Sequence, residues 1–289
     1  MNKITYCLLT LILGSIQACA QNDVQQANQQ LQSTNNHVKS IIVDTSGQTI
    51  GTRILPPIGF KRMNVSTSSF ANYLRQLPLK PQGSEVLLYD GRTKHNYNVY
   101  EAVVDLPIGK RDLHQCADAI MRLRAEYLWN EKQYDQIHFN FTNGFRVDYS
   151  KWMKGQRIAV NGNQVSWTNR RSPSNTYADF WKYMEIIFAY AGTLSLDKEL
   201  HAINISALSI GDVFIHGGSP GHAIIVVDVA VDSDNNEKLF LLAQSYMPAQ
   251  EIQILKNPND ENSPWYSVDF GEILQTPEWT FKRSDLKRF

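Results

Sequence analysis

The chain has 289 residues, 43% hydrophobic and 19% charged, with 28 basic and 28 acidic side chains. This suits a globular fold with apolar surface for one large core or two small ones. The formal net charge of +0 excludes a strong basic field that would draw the chain to nucleic acid or to an anionic membrane surface.

Residues 1–20 read as an export signal. Lys3 supplies a basic start, Ile4 to Ile16 is an apolar run too short to span a bilayer, and small residues follow. Ala18 and Ala20 form an A-x-A cleavage site. Ile16-Gln17-Ala18-Cys19 is also similar to a bacterial lipobox, in which Cys19 carries the lipid and anchors the chain to the membrane. Both readings export the protein, to the periplasm or to the outer membrane as a lipoprotein. Residues 21–45 open with a Gln/Asn-rich stretch unable to bury a core and are expected to be a tether. Residues 46–289 are expected to form a single α+β domain. Cys7 and Cys19 belong to the export segment, so Cys116 is the one thiol left in the mature domain, with no partner for an internal disulfide.

Thr45 to Pro57 reads as extended, and Pro56-Pro57 bars a helix there. Ser66 or Thr67 caps an expected helix to about Leu77, with Phe70, Tyr73, Leu74 and Leu77 at helical spacing. Short strands are expected over Glu85 to Tyr89 and Val99 to Asp105. Asp112 is placed as the N-cap of a helix to about Lys132, with Leu113, Cys116, Ala117, Ile120 and Leu123 on its apolar side and Arg122, Arg124, Glu126 and Glu131 on its polar face. Gln136 to Thr142 reads as a strand, Tyr149 to Met153 as a helical turn, and Asn161 to Asn175 as a polar loop. Tyr177 to Ala191 is an aromatic-rich helix ended by Gly192.

Gly211 to Asp228, GDVFIHGGSPGHAIIVVD, is the most informative stretch. The run after His222, Ala223 to Val231, is apolar on both faces, as a strand covered on both sides should be. A polar turn over Asp232 to Asn236 returns the chain as a strand over Lys238 to Tyr246, which brings residues near Gln244 opposite His222.

Three pieces then compose a site. Cys116 sits near a helix start, where free N–H groups and the helix dipole favour a thiolate. His222 begins a buried strand and can move protons. Gln244, or Ser245 if the register slips, can orient the imidazole. Nucleophilic acyl transfer needs such a set: a thiolate to attack, a base to take and return its proton, and a third group to fix the ring. Each residue also has a plainer reading: a buried cysteine as a small hydrophobe, a histidine as a satisfied polar group at a strand end. His114, Cys116, His216 and His222 could be imagined as metal ligands, but the paired spacing of zinc sites is missing. Arg170-Arg171 with Trp152 and Trp167 could bind a glycan or peptide. No phosphate loop or dinucleotide glycine pattern is present, and no cofactor is expected.

The order Cys116, His222, Gln244, with Gly211-Asp212-Val213-Phe214-Ile215 before Gly221-His222-Ala223-Ile224-Ile225 and the returning Leu241-Leu242-Ala243-Gln244-Ser245, resembles the papain-like cell-wall peptidases of the NlpC and CHAP type. The resemblance covers roughly Asp112 to Met247. It implies a nucleophile-bearing helix packed on a small antiparallel sheet, with Cys116 as nucleophile, His222 as general base and acid, and Gln244 as orienter. The implied partner is an envelope peptide, with an amide of peptidoglycan as substrate. The whole mature chain is also similar to exported bacterial proteins grouped as a domain of unknown function. The alternative on the same fold is a non-catalytic binding module of the envelope.

Overall fold

The computed structural model describes residues 42–289. The expected export signal, Cys7, Cys19 and the tether up to residue 41 lie outside them. Ile42–Phe289 is one compact unit, and Val43 already bridges Ile54.

In chain order the helices are α1 (Ile50–Arg53), α2 (Phe70–Arg75), α3 (Cys116–Asn130), α4 (Tyr149–Met153), α5 (Tyr177–Tyr190) and α6 (Thr193–Glu199). The strands are β1 (Phe60–Arg62), β2 (Tyr100–Val103), β3 (His138–Asn140), β4 (Arg146–Asp148), β5 (Gln156–Asn161), β6 (Gln164–Asn169), β7 (His201–Ala202), β8 (Val213–His216), β9 (His222–Asp232), β10 (Lys238–Gln244), β11 (Gln253–Leu255), β12 (Tyr266–Ser267), β13 (Ile273–Gln275), β14 (Thr280–Lys282) and β15 (Leu286–Arg288). A nine-stranded sheet in the order β2-β11-β10-β9-β8-β15-β7, with β1 also on β9 and β12 on β10, carries the fold. Its strands pair antiparallel. The molecule is a mixed α/β fold with a mostly antiparallel sheet and few helices.

β9 is the centre. Its residues from His222 to Ala230 are all buried, which explains why the sequence there is apolar without alternation. Helices α1, α2 and α3 pack against it. The Phe214 ring lies 6.0 Å from Phe240 and 6.1 Å from Phe281, so the C-terminal hairpin β13-β14 adds an aromatic cover.

Helix α3 begins at Cys116, later than expected, because Asp112 does not cap it. Asp112 Oδ1 accepts instead from Ala249 N–H at 2.7 Å and from Gln115 Nε2 at 3.1 Å, and Gln115 is the N-cap. Arg122 and Glu126, expected on the polar face, are both buried. The helix is covered on two sides, by the sheet and by α5. The pair survives burial because it is closed: Arg122 Nε donates to Glu126 Oε1 at 2.9 Å, Tyr177 Oη donates to the same oxygen at 2.6 Å, and the guanidinium lies 4.8 Å from the Trp181 ring centre.

Other elements differ from their sequence reading for local reasons. Thr49 and Thr52 close a capping box that folds α1 inside the expected extended stretch. Ser69, not Ser66 or Thr67, caps α2, accepting from Asn72 N–H at 3.1 Å. Residues 85–89 form only isolated bridges, Leu87 with Thr93 and Leu88 with Gln250. The expected loop over 161–175 begins inside hairpin β5-β6, turned by Gly162-Asn163 with φ +58° at the glycine. Gly192 does not end α5, which stops at Ala191 in extended conformation; Gly192 is the N-cap of α6.

Candidate functional site

Cys116 is the first residue of α3, His222 the first of β9 and Gln244 the last of β10. The β9-β10 register, with Ala243 opposite Ile225, carries Gln244 alongside the strand start. The His222 Nε2 to Gln244 Oε1 distance is 2.8 Å. Ser245 is excluded as the ring's partner. Neighbouring residues of a strand point to opposite faces, and Ser245 Oγ donates to the carbonyls of His114 and Gln250, each at 2.8 Å.

The Cys116 thiol is 7% exposed. The backbone N–H groups of Ala223, the residue after His222, and of Ala117 favour its charged form. Its charge would also be felt by the Tyr246 phenol, whose ring centre is 4.9 Å from that of His222. Thiol and imidazole therefore meet the same end of the sheet, although no hydrogen bond joins Sγ to the ring among the described residues. Trp279 and Phe281 complete the box around the imidazole, with ring centres at 5.5 and 5.9 Å.

Burial sets the charge states. It lowers His222 to about 4, helped by the Lys94 charge and opposed by the Gln244 hydrogen bond, so the ring is neutral at pH 7. Burial pushes the Cys116 thiol up to about 11, with the Asp118 carboxylate adding in the same direction. This corrects the expectation of a thiolate favoured by the helix start. The nearby N–H groups oppose the rise, but desolvation is the larger effect. One oxygen of Asp118 is itself engaged by Gln115 N–H at 3.0 Å, and the other is buried without a partner.

Two further residues belong to the site. Gln244 Nε2 donates to Glu278 Oε2 at 2.7 Å. Lys94 Nζ donates to the same carboxylate oxygen at 2.8 Å and to Gln250 Oε1 at 2.9 Å. Lys94 sits in a polar turn and Glu278 in the tail, and neither stretch carries a periodicity that points to a site. The one available signal was an acidic residue set beside tryptophan in Pro277-Glu278-Trp279.

The remaining candidates resolve separately. His114 is buried, its Nδ1 3.3 Å from the Gln250 carbonyl oxygen, and burial with the Arg122 charge lowers it to about 3. His216 pairs with His222 in the β8-β9 register and is exposed. Among the described residues no group of three or more His, Cys, Asp or Glu side chains could hold a metal ion. Trp152 is a core residue rather than a loop aromatic: it is buried, with Nε1 donating to the Asp179 carbonyl at 3.0 Å and the Arg157 guanidinium 4.1 Å from its ring centre.

A thiol, a neutral imidazole and a hydrogen-bonded amide thus converge at one end of an antiparallel sheet in a mixed α/β domain. A family model described as a domain of unknown function (4846) matches residues 50–288, and the chain belongs to that family. No curated protein and no solved structure matches. No helix among the described residues is long and apolar enough to cross a membrane.

Proposed function

We propose that this protein is a cell-envelope cysteine hydrolase of the papain-like kind, cutting an amide bond in envelope peptides such as those of peptidoglycan. The observation that carries the reading is the His222–Gln244 hydrogen bond at 2.8 Å, on the strand whose next residue, Ala223, acts through its N–H on the one thiol of the described domain. With Nε2–H given to Gln244, ring nitrogen Nδ1 keeps its lone pair for a proton. In the reaction His222 takes the thiol proton as Sγ bonds to the substrate carbonyl carbon. The imidazolium returns that proton to the departing amine as the C–N bond breaks. Water, deprotonated by His222, then cleaves the thioester and restores the thiol. Each partner alone resists ionisation in this buried place. Moving the proton from sulfur to nitrogen makes both charges together, and each offsets the other's burial. Export through residues 1–20, with lipid on Cys19, would put the domain where such peptides occur.

A second reading is a non-catalytic binding module. The thiol's burial, its shift to about 11 and the lack of a direct Sγ–imidazole hydrogen bond favour it. Incubation of the protein with soluble peptidoglycan fragments separates the two. The hydrolase generates new amino and carboxyl ends, seen by mass spectrometry as pairs of fragments whose masses together equal the parent plus one water. The binding module holds the fragments intact at equilibrium, and finding only that would end the hydrolase reading.

A further inference from the structure

We propose that Glu278, held by Lys94, is a positioning residue that fixes which nitrogen of His222 carries the proton. The inference rests on the hydrolase reading for its purpose, but its physical content is independent of it.

Donors and acceptors fix the arrangement. A side-chain amide has a donating and an accepting end, and the two can exchange by rotation. A carboxylate only accepts. Glu278 Oε2, 2.7 Å from Gln244 Nε2, therefore requires the NH₂ of Gln244 to face it. The carbonyl of Gln244 must then face His222, and at 2.8 Å it can only accept from Nε2–H. A neutral imidazole has one N–H, so Nδ1 is left bare as the base.

Glu278 is in turn kept in place. Lys94 Nζ donates to its Oε2 at 2.8 Å, Asn96 Nδ2 reaches its Oε1 at 3.3 Å, and the Lys94 and Glu278 side chains are 5% and 10% exposed. Lys94 is itself anchored to Gln250 Oε1 at 2.9 Å and lies 5.2 Å from the Tyr246 ring centre. Four side chains from four separate parts of the chain thus form a directed series, Lys94 to Glu278, Gln244 to Glu278, and His222 to Gln244. Reversal at Gln244 would set a carbonyl oxygen against a carboxylate.

The test is the tautomer of His222, read by long-range ¹H–¹⁵N correlation spectra of ¹⁵N-histidine-labelled protein without substrate. The wild type is expected to carry the proton on Nε2 alone. In E278L the Gln244 amide is free to turn, and resonances of the Nδ1–H form are expected to gain population, with a matching loss of any Cys116-dependent hydrolysis. The isosteric exchange Q244E/E278Q is expected to keep the Nε2–H form, with a raised His222 titration midpoint, because the carboxylate then accepts directly from the ring. It also covers failure of E278L to fold. A wild-type ring protonated on Nδ1, an E278L ring still wholly Nε2–H, or an unchanged midpoint in the exchange variant overturns the proposal. If the tautomers behave as expected and no variant hydrolyses envelope peptides, the positioning role stands and the hydrolase reading fails.

Discussion

Cys116→Ala is expected to lower amide hydrolysis of envelope peptides by about 10⁴-fold or more, and His222→Ala by a similar factor. Nucleophile and base act on one proton, so the double variant should be little worse than either alone; additive losses would argue that the two residues are not a pair. The cysteine variant is the cleaner probe. Sulfur is a small part of the core and sits at a helix start, so C116A should fold with an unaltered circular dichroism spectrum. The histidine ring is packed among Tyr246, Trp279 and Phe281, and its loss leaves a hole as well as a missing base. Steady-state rates on soluble peptidoglycan fragments supply the check. Full activity in C116A would remove Cys116 from the chemistry altogether.

Asp228→Ala is expected to destabilise the fold by about 3–5 kcal/mol, the cost of removing one member of a buried ion pair. Asp228 is wholly buried in β9, yet it is not part of the site. Arg62 Nε donates to its Oδ2 at 2.7 Å, Arg75 Nε to its Oδ1 at 2.8 Å, and the Val229 N–H to Oδ1 at 2.9 Å. The carboxylate thus ties β1 and α2 to the central strand. Without it two guanidinium groups, with side-chain exposures of 21% and 11%, lose the carboxylate they share. The urea midpoint should fall by about 1–2 M with little change in slope. Asp228→Asn, which keeps acceptor oxygen on the same stem, should lose less. A loss below about 1 kcal/mol for the alanine variant would mean the arginines find solvent instead.

The main chain of the site was legible because its signals are strong. The unbroken apolar run after His222 demands a strand covered on both faces. The polar turn at Asp232 to Asn236 demands a hairpin, and the hairpin sets Gln244 beside the histidine. The aromatic helix α5 was equally plain from its spacing. At the site, what differs depends on contacts between distant segments. Asp112 has the residue type of a helix cap, but Ala249 competes for it. Arg122 and Glu126 alternate with apolar residues as a solvated face would, and only tertiary packing of α3 between sheet and α5 buries them. The thiol's shift is not legible in sequence, because a helix start says nothing there about how deeply that start is sunk. Lys94 and Glu278 come from a turn and a tail, so nothing local marks them. Local chemistry accounts for the rest: the Thr49–Thr52 capping box, the Ser69 cap and the two-residue Gly162-Asn163 turn between strand-length segments.

The central claim is that the Cys116 sulfur can give its proton to His222. It is tested most directly by the rate of iodoacetamide alkylation of Cys116 from pH 5 to 11 in the wild type and in H222A. Without the imidazole the thiol must ionise alone against burial and Asp118, so the H222A rate should climb about tenfold per pH unit toward the thiol's value of about 11. With it, the sulfur can ionise as a pair, and at pH 7 the wild type should react at least about tenfold faster than H222A. Superimposable profiles for the two proteins, both rising without a break toward pH 11, would contradict the claim and leave Cys116 an ordinary buried thiol.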